Sequence, residues 1–316
     1  MFEKACFVLL TNQCNLKCPH CYNELDTIKS SIIEDQTNLS LPKLSVLFSK
    51  LVENGFTKVL FSGGEALLRA DIFEIIKEAK SKGLNTALFT NGHTLSENVA
   101  IRLGNAGLKE IRISFNEMVW IKNGEQYERI FAKQTKYLSK LQEMGISVGY
   151  VYIVSGYNIN YTYKTFLQLQ ELGASMKIQP LYLPKNFKNF NEASASTIPI
   201  KKWNELKKLF SNNDLKRNDI GEKTSSVYGD NEEICNYIDF LIHIYSSGKT
   251  PDFCPTGPIL VIDSRGIFHP CLFRADIECG NISNENDVCN INTLLNKFNN
   301  LSEAQCYSEE CLSAFR

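Results

Sequence analysis

The first part of the chain alternates six times between a short apolar stretch and an amphipathic one, and this alternation limits the fold more than any other feature. The apolar stretches have the length of buried strands and lie at residues 6–11, 58–62, 85–90, 110–115, 147–154 and 176–183. Between them, apolar residues recur at helical spacing at residues 44–52, 72–79, around Ala100, 127–144 and 166–172. Strand-helix units of about thirty residues predict an all-parallel α/β sheet, either open or curled into a barrel.

Polar residues follow several of these predicted strands. The sequence Ser62-Gly63-Gly64-Glu65 follows the second strand, Thr90-Asn91-Gly92 the third, Ser114 and Asn116 end the fourth, and Asn158 follows the fifth. Ligands of parallel α/β folds bind beyond the carboxyl ends of the strands, so we expect these residues to share one mouth. A glycine pair lets a backbone approach a ligand closely, and an adjacent carboxylate can accept hydrogen bonds from an ammonium group. Taken alone, Gly-Gly-Glu is most often a simple turn.

Three cysteines, Cys14, Cys18 and Cys21, crowd the loop after the first strand in the pattern C-x3-C-x2-C. Thiolate is the soft ligand that selects zinc, copper(I) or iron-sulfur clusters. Structural zinc sites are closed by four ligands, whereas a cubane iron-sulfur cluster held by three cysteines leaves one iron open. The pattern therefore indicates a metal centre with a free position.

Composition excludes several classes of protein. The 316 residues have 43% hydrophobic content and 22% charged content, typical of a globular protein with one large or two modest domains. A net charge of -1 argues against a dedicated nucleic-acid binder. No leader pattern or apolar stretch of ~20 residues is found, so we expect a cytoplasmic protein without membrane contact. The 11 cysteines cluster near both ends, which favours metal sites over disulfides in a reducing compartment.

The cysteine loop and the motif one unit later together resemble the radical S-adenosylmethionine (SAM) superfamily. Cys14, Cys18 and Cys21 match its cluster ligands, and His20 stands where the family usually has an aromatic residue. The resemblance covers about the first 185 residues and implies a radical SAM domain at residues 1–185, folded as a partial (β/α)6 barrel of the TIM type. It also implies a 4Fe-4S cluster bound by the three cysteines.

The same resemblance implies a set of SAM-binding residues at the mouth of the barrel. Gly63, Gly64 and Glu65 match the motif that holds the amino group of the methionine moiety. Ser114 and Asn116 resemble polar residues of the fourth strand that contact the methionine or ribose part, although many relatives have Asp in place of Asn116. The set also includes, at the end of the third strand, Asn91.

The implied chemistry is that of a radical SAM oxidoreductase or peptide-modifying enzyme. SAM would chelate the open iron through its amino and carboxylate groups, and an electron from the reduced cluster would cleave it to a 5'-deoxyadenosyl radical. That radical would abstract a hydrogen atom from the substrate. The cofactor performs the difficult step, while the barrel positions the substrate and excludes water and oxygen. The electron would come from an external donor of the flavodoxin or ferredoxin type.

After residue 185 the pattern changes. Residues 186–253 are predicted as a polar linker with helices at 199–210 and 232–245, and residues 254–316 as a small α+β domain. That last region contains a predicted β-hairpin around Ser264-Arg265-Gly266 and a helix at 294–301. It resembles the SPASM and twitch domains that carry auxiliary iron-sulfur clusters in radical SAM enzymes. The resemblance implies a second 4Fe-4S cluster on four cysteines, with Cys279 and Cys289 as alternates: Cys254, Cys271, Cys306 and Cys311.

Alternatives remain open for these cysteines. The same four thiols could form a zinc knuckle. Cys6 lies in a predicted buried strand and fits core packing. Cys235, before an apolar helical segment, also fits core packing, but it is the candidate that we assign as a hydrogen-atom donor to a substrate radical, a role that Cys279 or Cys289 could also fill.

The resemblance is compatible with two classes of substrate. Twitch and SPASM relatives mostly modify ribosomally made peptides, and a smaller group dehydrogenates or epimerises aminocyclitol sugars. Aromatic and amide side chains between residues 185 and 250 favour a peptide groove, so we expect a peptide maturase that forms a crosslink or an epimer. The predicted barrel starts near Met1, so we expect a peptide substrate to need either a separate leader-recognition protein or direct capture by the enzyme. A non-catalytic iron-sulfur or zinc protein would need the cysteines but not Gly63-Gly64-Glu65.

Overall fold

The computed structural model describes residues 4–18, 20–21, 38–181, 198–211, 231–247, 260–272 and 277–293. Its centre is one sheet in which six strands run parallel in the order β6-β5-β4-β3-β2-β1. These strands are β1 (Ala5–Leu9), β2 (Lys58–Ser62), β3 (Asn85–Thr90), β4 (Glu110–Ser114), β5 (Ser147–Val154) and β6 (Ser175–Pro180). Each is a neighbour of the next in the chain, which is the arrangement of a partial TIM barrel. The predicted fold is confirmed.

Helices connect the strands, as the sequence pattern predicts. They are α1 (Leu41–Glu53), α2 (Ile72–Ser81), α3 (Glu97–Ala106), α4 (Gly124–Thr135), α5 (Leu138–Glu143) and α6 (Thr162–Glu171). Local signals set their ends: Ser96 caps α3 by accepting the amide of Val99, and Gly107 ends the same helix with a left-handed φ of 90°.

One helix differs from the prediction. Residues 127–144 were expected to form a single helix, but the structure divides this region into α4 and α5 at Lys136 and Tyr137. The hydroxyl of Tyr150, on the adjacent strand β5, donates to the carbonyl oxygen of Gln134 at 3.3 Å. A continuous helix would pair that carbonyl with the amide of Leu138. Periodicity cannot detect this break because it comes from a tertiary contact.

The two faces of the sheet have different environments. Phe115 and Tyr150 stack at 4.5 Å between ring centroids, and Phe115 also contacts Phe131 of α4. These side chains therefore face the helix layer. Side chains alternate along a strand, so the neighbouring positions of β4, Arg112 and Ser114, face the lumen of the barrel.

A second group of strands extends the sheet beyond β1. These strands are β7 (Leu260–Ile262), β8 (Ile267–His269) and β9 (Gly280–Asn281). β7 pairs parallel with β1, β8 pairs antiparallel with β7, and β9 pairs antiparallel with β8. The predicted hairpin is confirmed, and its turn needs Gly266, whose φ is +91° and whose added Cβ would lie 2.3 Å from a side-chain carbon of Ile282. A short helix, α9 (Glu285–Cys289), follows. The helix predicted at 294–301 lies outside the described residues.

Two further helices, α7 (Ile200–Ser211) and α8 (Asn231–Ser247), belong to the region that was predicted as linker and helices. Phe210 of α7 packs edge-on against Phe166 of α6 at 5.0 Å, and Trp203 is fully buried. The pair is therefore joined to the outer side of the barrel by a core of aromatic side chains. In the portion of the chain that the structure describes, no helix combines the length and the apolar character needed to cross a bilayer.

Candidate functional site

The cysteine loop is joined to the end of β2 by backbone hydrogen bonds. Pairing of β1 with β2 continues past both strands: the amide of Gly64 donates to the carbonyl of Thr11 at 2.7 Å, and the amide of Glu65 donates to the carbonyl of Gln13 at 2.8 Å. Gln13 is the residue before Cys14. The Gly-Gly-Glu segment therefore fixes the position at which the cysteine loop begins.

This pairing explains the two glycines. A Cβ added at Gly63 would lie 2.3 Å from the carbonyl oxygen of Thr11, and one added at Gly64 would lie 2.3 Å from that of Gln13. Neither position can hold a side chain without moving the backbone of the cysteine loop. The sequence suggested that the glycines admit a ligand, whereas the structure shows that they also admit the chain's own backbone.

Glu65 is completely buried at the end of this segment. Its Oε1 accepts hydrogen bonds from the amide of Leu67 at 3.0 Å and the hydroxyl of Thr90 at 2.8 Å, and its Oε2 accepts from the amide of Asn91 at 2.7 Å. Burial raises the pKa of this carboxyl, while the three hydrogen bonds oppose the shift. Glu65 therefore connects the ends of β2 and β3.

Asn91 continues this connection to the cysteine loop. Its Nδ2 donates to Oδ1 of Asn15 at 2.8 Å and lies 3.8 Å from Sγ of Cys14, within the range of an N–H to sulfur hydrogen bond. Its Oδ1 accepts the amide of His93 at 2.9 Å. The sequence predicts Asn91 as a SAM-binding residue, and the structure places its amide against the loop that carries the cysteines.

Arg69 holds the base of the same loop, and sequence reasoning missed it. Its Nη1 donates to the carbonyl of Leu10 at 3.1 Å and to that of Leu39 at 3.0 Å, so it bridges the two ends of the segment that contains the cysteines. Asp71 orients the guanidinium through two hydrogen bonds, at 2.8 and 2.7 Å. Hydrogen bonding to Arg69 lowers the pKa of Asp71. No motif in the sequence marks this pair.

Among the described residues, the three cysteines of the loop, Cys14, Cys18 and Cys21, form no disulfide. The amide of Leu16 donates to Sγ of Cys14 at 3.4 Å. Burial, followed by the nearby thiolates of Cys21 and Cys14, raises the pKa of Cys18 to about 11. Among the described residues, no three acidic, histidine or cysteine side chains converge on a single metal ion. Three thiolates on one loop are a usual donor set of an iron-sulfur cluster, which distributes its ligands over several irons.

The remaining polar residues of the predicted SAM set lie across the mouth. Ser114 ends β4, and Oδ1 of Asn116 lies 3.5 Å from Nε2 of His20. The ring of His20 also contacts that of Trp120, with centroids 6.0 Å apart. The other nitrogen of His20, Nδ1, is buried and has no hydrogen-bond partner among the described residues. A buried polar atom beside Cys21 fits a site that binds a polar ligand.

The C-terminal cysteines are only partly described. Cys271 follows the hairpin and is partly buried, and Cys289 is exposed at the end of α9. The amide of Cys279 donates to the carbonyl of Phe268 at 2.8 Å, and burial raises the pKa of its thiol to about 12. The other three predicted ligands of the auxiliary cluster lie outside the described residues: Cys254, Cys306 and Cys311.

Two other residues that the sequence singled out, Cys235 and Asn158, contact neighbouring parts of the fold. Cys235 lies on α8 against α7, with its Sγ 3.4 Å from Oγ of Ser211, and its role as a hydrogen donor stays a prediction.

Asn158 is completely buried, and its side-chain amide forms hydrogen bonds with the backbone of Ser155, Met118 and Ile153 at 2.7, 3.0 and 2.8 Å. Through these hydrogen bonds, Asn158 connects the end of β5 with the turn after β4.

Sequence comparisons match the chain to a known family. Residues 8–169 match the profile of the Radical SAM superfamily. A PqqA peptide cyclase of Granulibacter bethesdensis is 28% identical over 169 residues, which is 52% of this chain and 44% of the relative. An Fe-coproporphyrin III synthase of Methanosarcina barkeri is 29% identical over 153 residues, which is 48% of this chain and 37% of the relative. The chain thus spans less than half the length of these relatives.

Solved structures share the fold. The enzyme anSMEcpe with bound AdoMet superposes with a TM-score of 0.61 at 17% identity, covering 97% of this chain and 84% of the other. Streptococcus suis SuiB bound to its precursor peptide SuiA gives 0.56 at 13% identity, covering 99% and 70%. At such identities the likeness concerns the fold alone. The family profile extends over half of the chain and includes the cysteine loop and the segment paired with it, and the chain therefore belongs to the radical SAM superfamily.

Proposed function

We propose that this protein cleaves SAM reductively and abstracts a hydrogen atom from a ribosomally made peptide, in which it forms a crosslink or an epimer. The observation that carries the proposal is the backbone pairing of Gly64 and Glu65 with the start of the cysteine loop, within a chain that matches the Radical SAM superfamily. This pairing supports the proposal because it joins the start of the predicted cluster loop to the predicted SAM-binding segment.

Each residue of the site has a role in this proposal. Cys14, Cys18 and Cys21 hold the cluster through their thiolates, which are the usual ligands of iron-sulfur clusters. With SAM bound, such a cluster would supply the electron for the reductive cleavage of SAM. Asn91 orients Cys14 through its amide, and Arg69 closes the base of the loop.

The side chains across the mouth contact SAM. Gly63, Gly64 and Glu65 position the backbone that receives its methionine amino group, and Ser114 and Asn116 contact its methionine or ribose part. His20 can offer its unpaired Nδ1 to the same ligand. Buried, preorganised polar groups of this kind bind a charged cofactor without reorganisation.

A peptide substrate is supported by the relatives. One relative is named PqqA peptide cyclase, and a structural neighbour, SuiB, is bound to a precursor peptide. A small molecule is the second candidate, because another relative is named Fe-coproporphyrin III synthase and because BtrN, with its ligand 2-DOIA, shares the fold at a TM-score of 0.51. An aminocyclitol dehydrogenase or epimerase would belong to this second candidate.

Three further parts of the proposal concern the rest of the chain. Residues 1–185 act as the radical SAM domain, residues 186–253 as linker and helices, and residues 254–316 as an auxiliary domain that holds a second 4Fe-4S cluster. A flavodoxin or ferredoxin supplies the electron in the cytoplasm. A separate protein recognises the leader of the peptide.

The test is a screen of short peptides encoded beside this gene, incubated anaerobically with reconstituted protein, SAM and reductant. Each peptide is analysed for the loss of two hydrogens, which marks a crosslink, and for deuterium uptake from heavy water, which marks epimerisation. One of these changes, dependent on SAM and absent from the Cys18→Ala variant, is the expected result. Modification of an aminocyclitol or porphyrin but of no peptide would overturn the peptide proposal.

A further inference from the structure

The lumen of the barrel has two chemically different walls. Register places Ser114 beside Val151 and Val151 beside Lys177, so these residues form one row across β4, β5 and β6. In the next row, Arg112 lies beside Gly149, which in turn pairs with Ser175. Because alternate residues share a face, both rows face the lumen, opposite to the helix-facing Tyr150.

The other wall, formed by β1 to β3, carries mainly apolar side chains beyond Lys58 at its amino end. Phe7 of β1 and Phe89 of β3 lie on its lumen face with ring centroids 5.4 Å apart. Leu9 and Leu60 share that face and are partly buried. A ligand in the lumen would thus contact aromatic and aliphatic side chains on one side and polar ones on the other.

Charge on the lumen face of β1–β6 is unbalanced. Its charged side chains are three cations, Lys58, Arg112 and Lys177, and one carboxylate, Glu110. Glu110 forms ion pairs with two of these cations: its Oε1 lies 2.5 Å from Nζ of Lys58, and its Oε2 lies 2.7 Å from Nη2 of Arg112. These three residues form an ion-pair cluster near the amino ends of the strands.

Lys177 is the third cation on this face, and Glu110 does not pair with it. No described carboxylate lies within ion-pair distance of its Nζ, and it is one residue row nearer the mouth than Arg112. Burial, together with the charge of Arg112, lowers the pKa of Lys177. A partly buried ammonium without a counter-charge is costly, so an anionic ligand at this position would be stabilised by charge-assisted hydrogen bonds.

We propose that Lys177 binds a carboxylate of the substrate within the lumen, so that the enzyme selects an acidic residue of its peptide. The proposal rests on the proposed function for the identity of the ligand as a peptide. A glutamate or aspartate side chain matches the chemistry of the two walls, because it combines an apolar methylene stem with a carboxylate that can pair with an ammonium group.

The first experiment measures binding alone. The probe is N-acetylglutamate amide, which carries only the side-chain carboxylate, and its neutral partner is N-acetylglutamine amide. Dissociation constants are measured by ligand-observed NMR on the reconstituted wild type and on Lys177→Gln, Lys177→Arg and Lys109→Gln. Lys109 is the matched control, because it is exposed just before β4. Thermal unfolding of each variant identifies any loss of folding.

The proposal predicts that wild type and Lys109→Gln bind the acidic probe equally well. It also predicts that Lys177→Gln binds the probe about tenfold more weakly and that Lys177→Arg recovers binding, because removing one charge-assisted hydrogen bond has an effect of this order. Equal binding of the neutral probe, or equal binding by Lys177→Gln, would overturn it. Tighter binding of inorganic phosphate than of the acidic probe would overturn the carboxylate assignment. Complete displacement of the probe by SAM would assign the site to SAM's own carboxylate, which also overturns the proposal.

A second experiment separates this inference from the proposed function. Charge reversal in Lys177→Glu should shift the preferred residue of a modified peptide from Glu to Lys. If wild type modifies no peptide at all, the proposed function fails while the binding measurement still decides the role of Lys177. If peptides are modified with no preference for acidic residues, the proposed function stands and the Lys177 proposal falls.

Discussion

The side-chain amide of Asn91 lies 3.8 Å from the sulfur of Cys14, and the backbone amide of the same residue donates to the buried carboxylate of Glu65 at 2.7 Å. One residue at the end of β3 therefore connects the Gly-Gly-Glu segment after β2 with the first cysteine of the loop after β1. Three strand ends are therefore held in one arrangement at the mouth of the barrel.

Replacing Asn91 should change the electronic properties of the cluster. Hydrogen bonds to sulfur favour the more negative, reduced state, so Asn91→Ala should lower the midpoint potential by about 20–60 mV, equivalent to about 0.5–1.5 kcal/mol for one net hydrogen bond. The measurement is a potentiometric titration followed by electron paramagnetic resonance. Asn105→Ala, on the exposed face of α3, is the control and should not shift the potential. An unchanged potential in Asn91→Ala would mean that its amide does not act on Cys14.

Adding a methyl group at Gly64 should disturb the cysteine loop. The new Cβ would lie 2.3 Å from the carbonyl oxygen of Gln13, so we expect Gly64→Ala to lose about 1–3 kcal/mol of stability, as overpacked sites do, and to retain less iron. Gly124→Ala is the matched control, because its Cβ would meet only the hydroxyl of Tyr161 at 4.0 Å. Chemical denaturation and iron analysis measure both effects. Equal stability of the two variants would contradict the packing argument.

The ion pair of Asp71 with Arg69 should make stability depend on pH in the acid range. The pKa of Asp71 is lowered in the folded protein, so its contribution is complete above the unfolded value of about 3.9 and is lost as the pH falls through the folded value. Asp71→Asn should therefore be less stable than wild type at neutral pH, and the difference should shrink below about pH 4. Urea denaturation across this pH range tests the sign. A difference that grows towards acid pH would show that the pair does not stabilise the fold.

The β/α order, the strand positions and the hairpin at Gly266 followed from periodicity and glycine placement, because these are local properties. Periodicity could not distinguish a barrel from an open sheet; the family resemblance supplied that choice. The division between α4 and α5 also escaped prediction, because a hydroxyl of β5 takes a helix carbonyl.

At the site, the cysteines and Glu65 were recognisable as a motif, but their supports were not. Arg69 reaches Leu10 and Leu39, which are distant in sequence, and Asn91 reaches Cys14 from another strand. Such contacts depend on tertiary packing and leave no spacing rule in the sequence. Lys177 is another case, since its separation from the carboxylate of Glu110 appears only when β4, β5 and β6 are aligned.

Iron analysis should separate the two proposed metal centres. Anaerobically reconstituted wild type should hold about eight irons, and the Cys14/Cys18/Cys21 triple alanine variant about four, as two thiolate-ligated cubanes require. Mössbauer spectra and sulfide content accompany the count. About four irons in wild type, none in the triple variant and bound zinc in both would indicate a zinc knuckle at the C-terminal cysteines and would remove the auxiliary cluster from the account.

The most direct test of the central claim is the anaerobic formation of 5'-deoxyadenosine from SAM, with dithionite as reductant, by wild type and by Cys18→Ala. Iron content is measured on the same samples. Wild type should form 5'-deoxyadenosine, and Cys18→Ala should form none, because the loop then offers only two thiolates to the cluster. Formation of 5'-deoxyadenosine by Cys18→Ala at the wild-type rate would contradict the assignment of radical SAM chemistry to the cysteine loop.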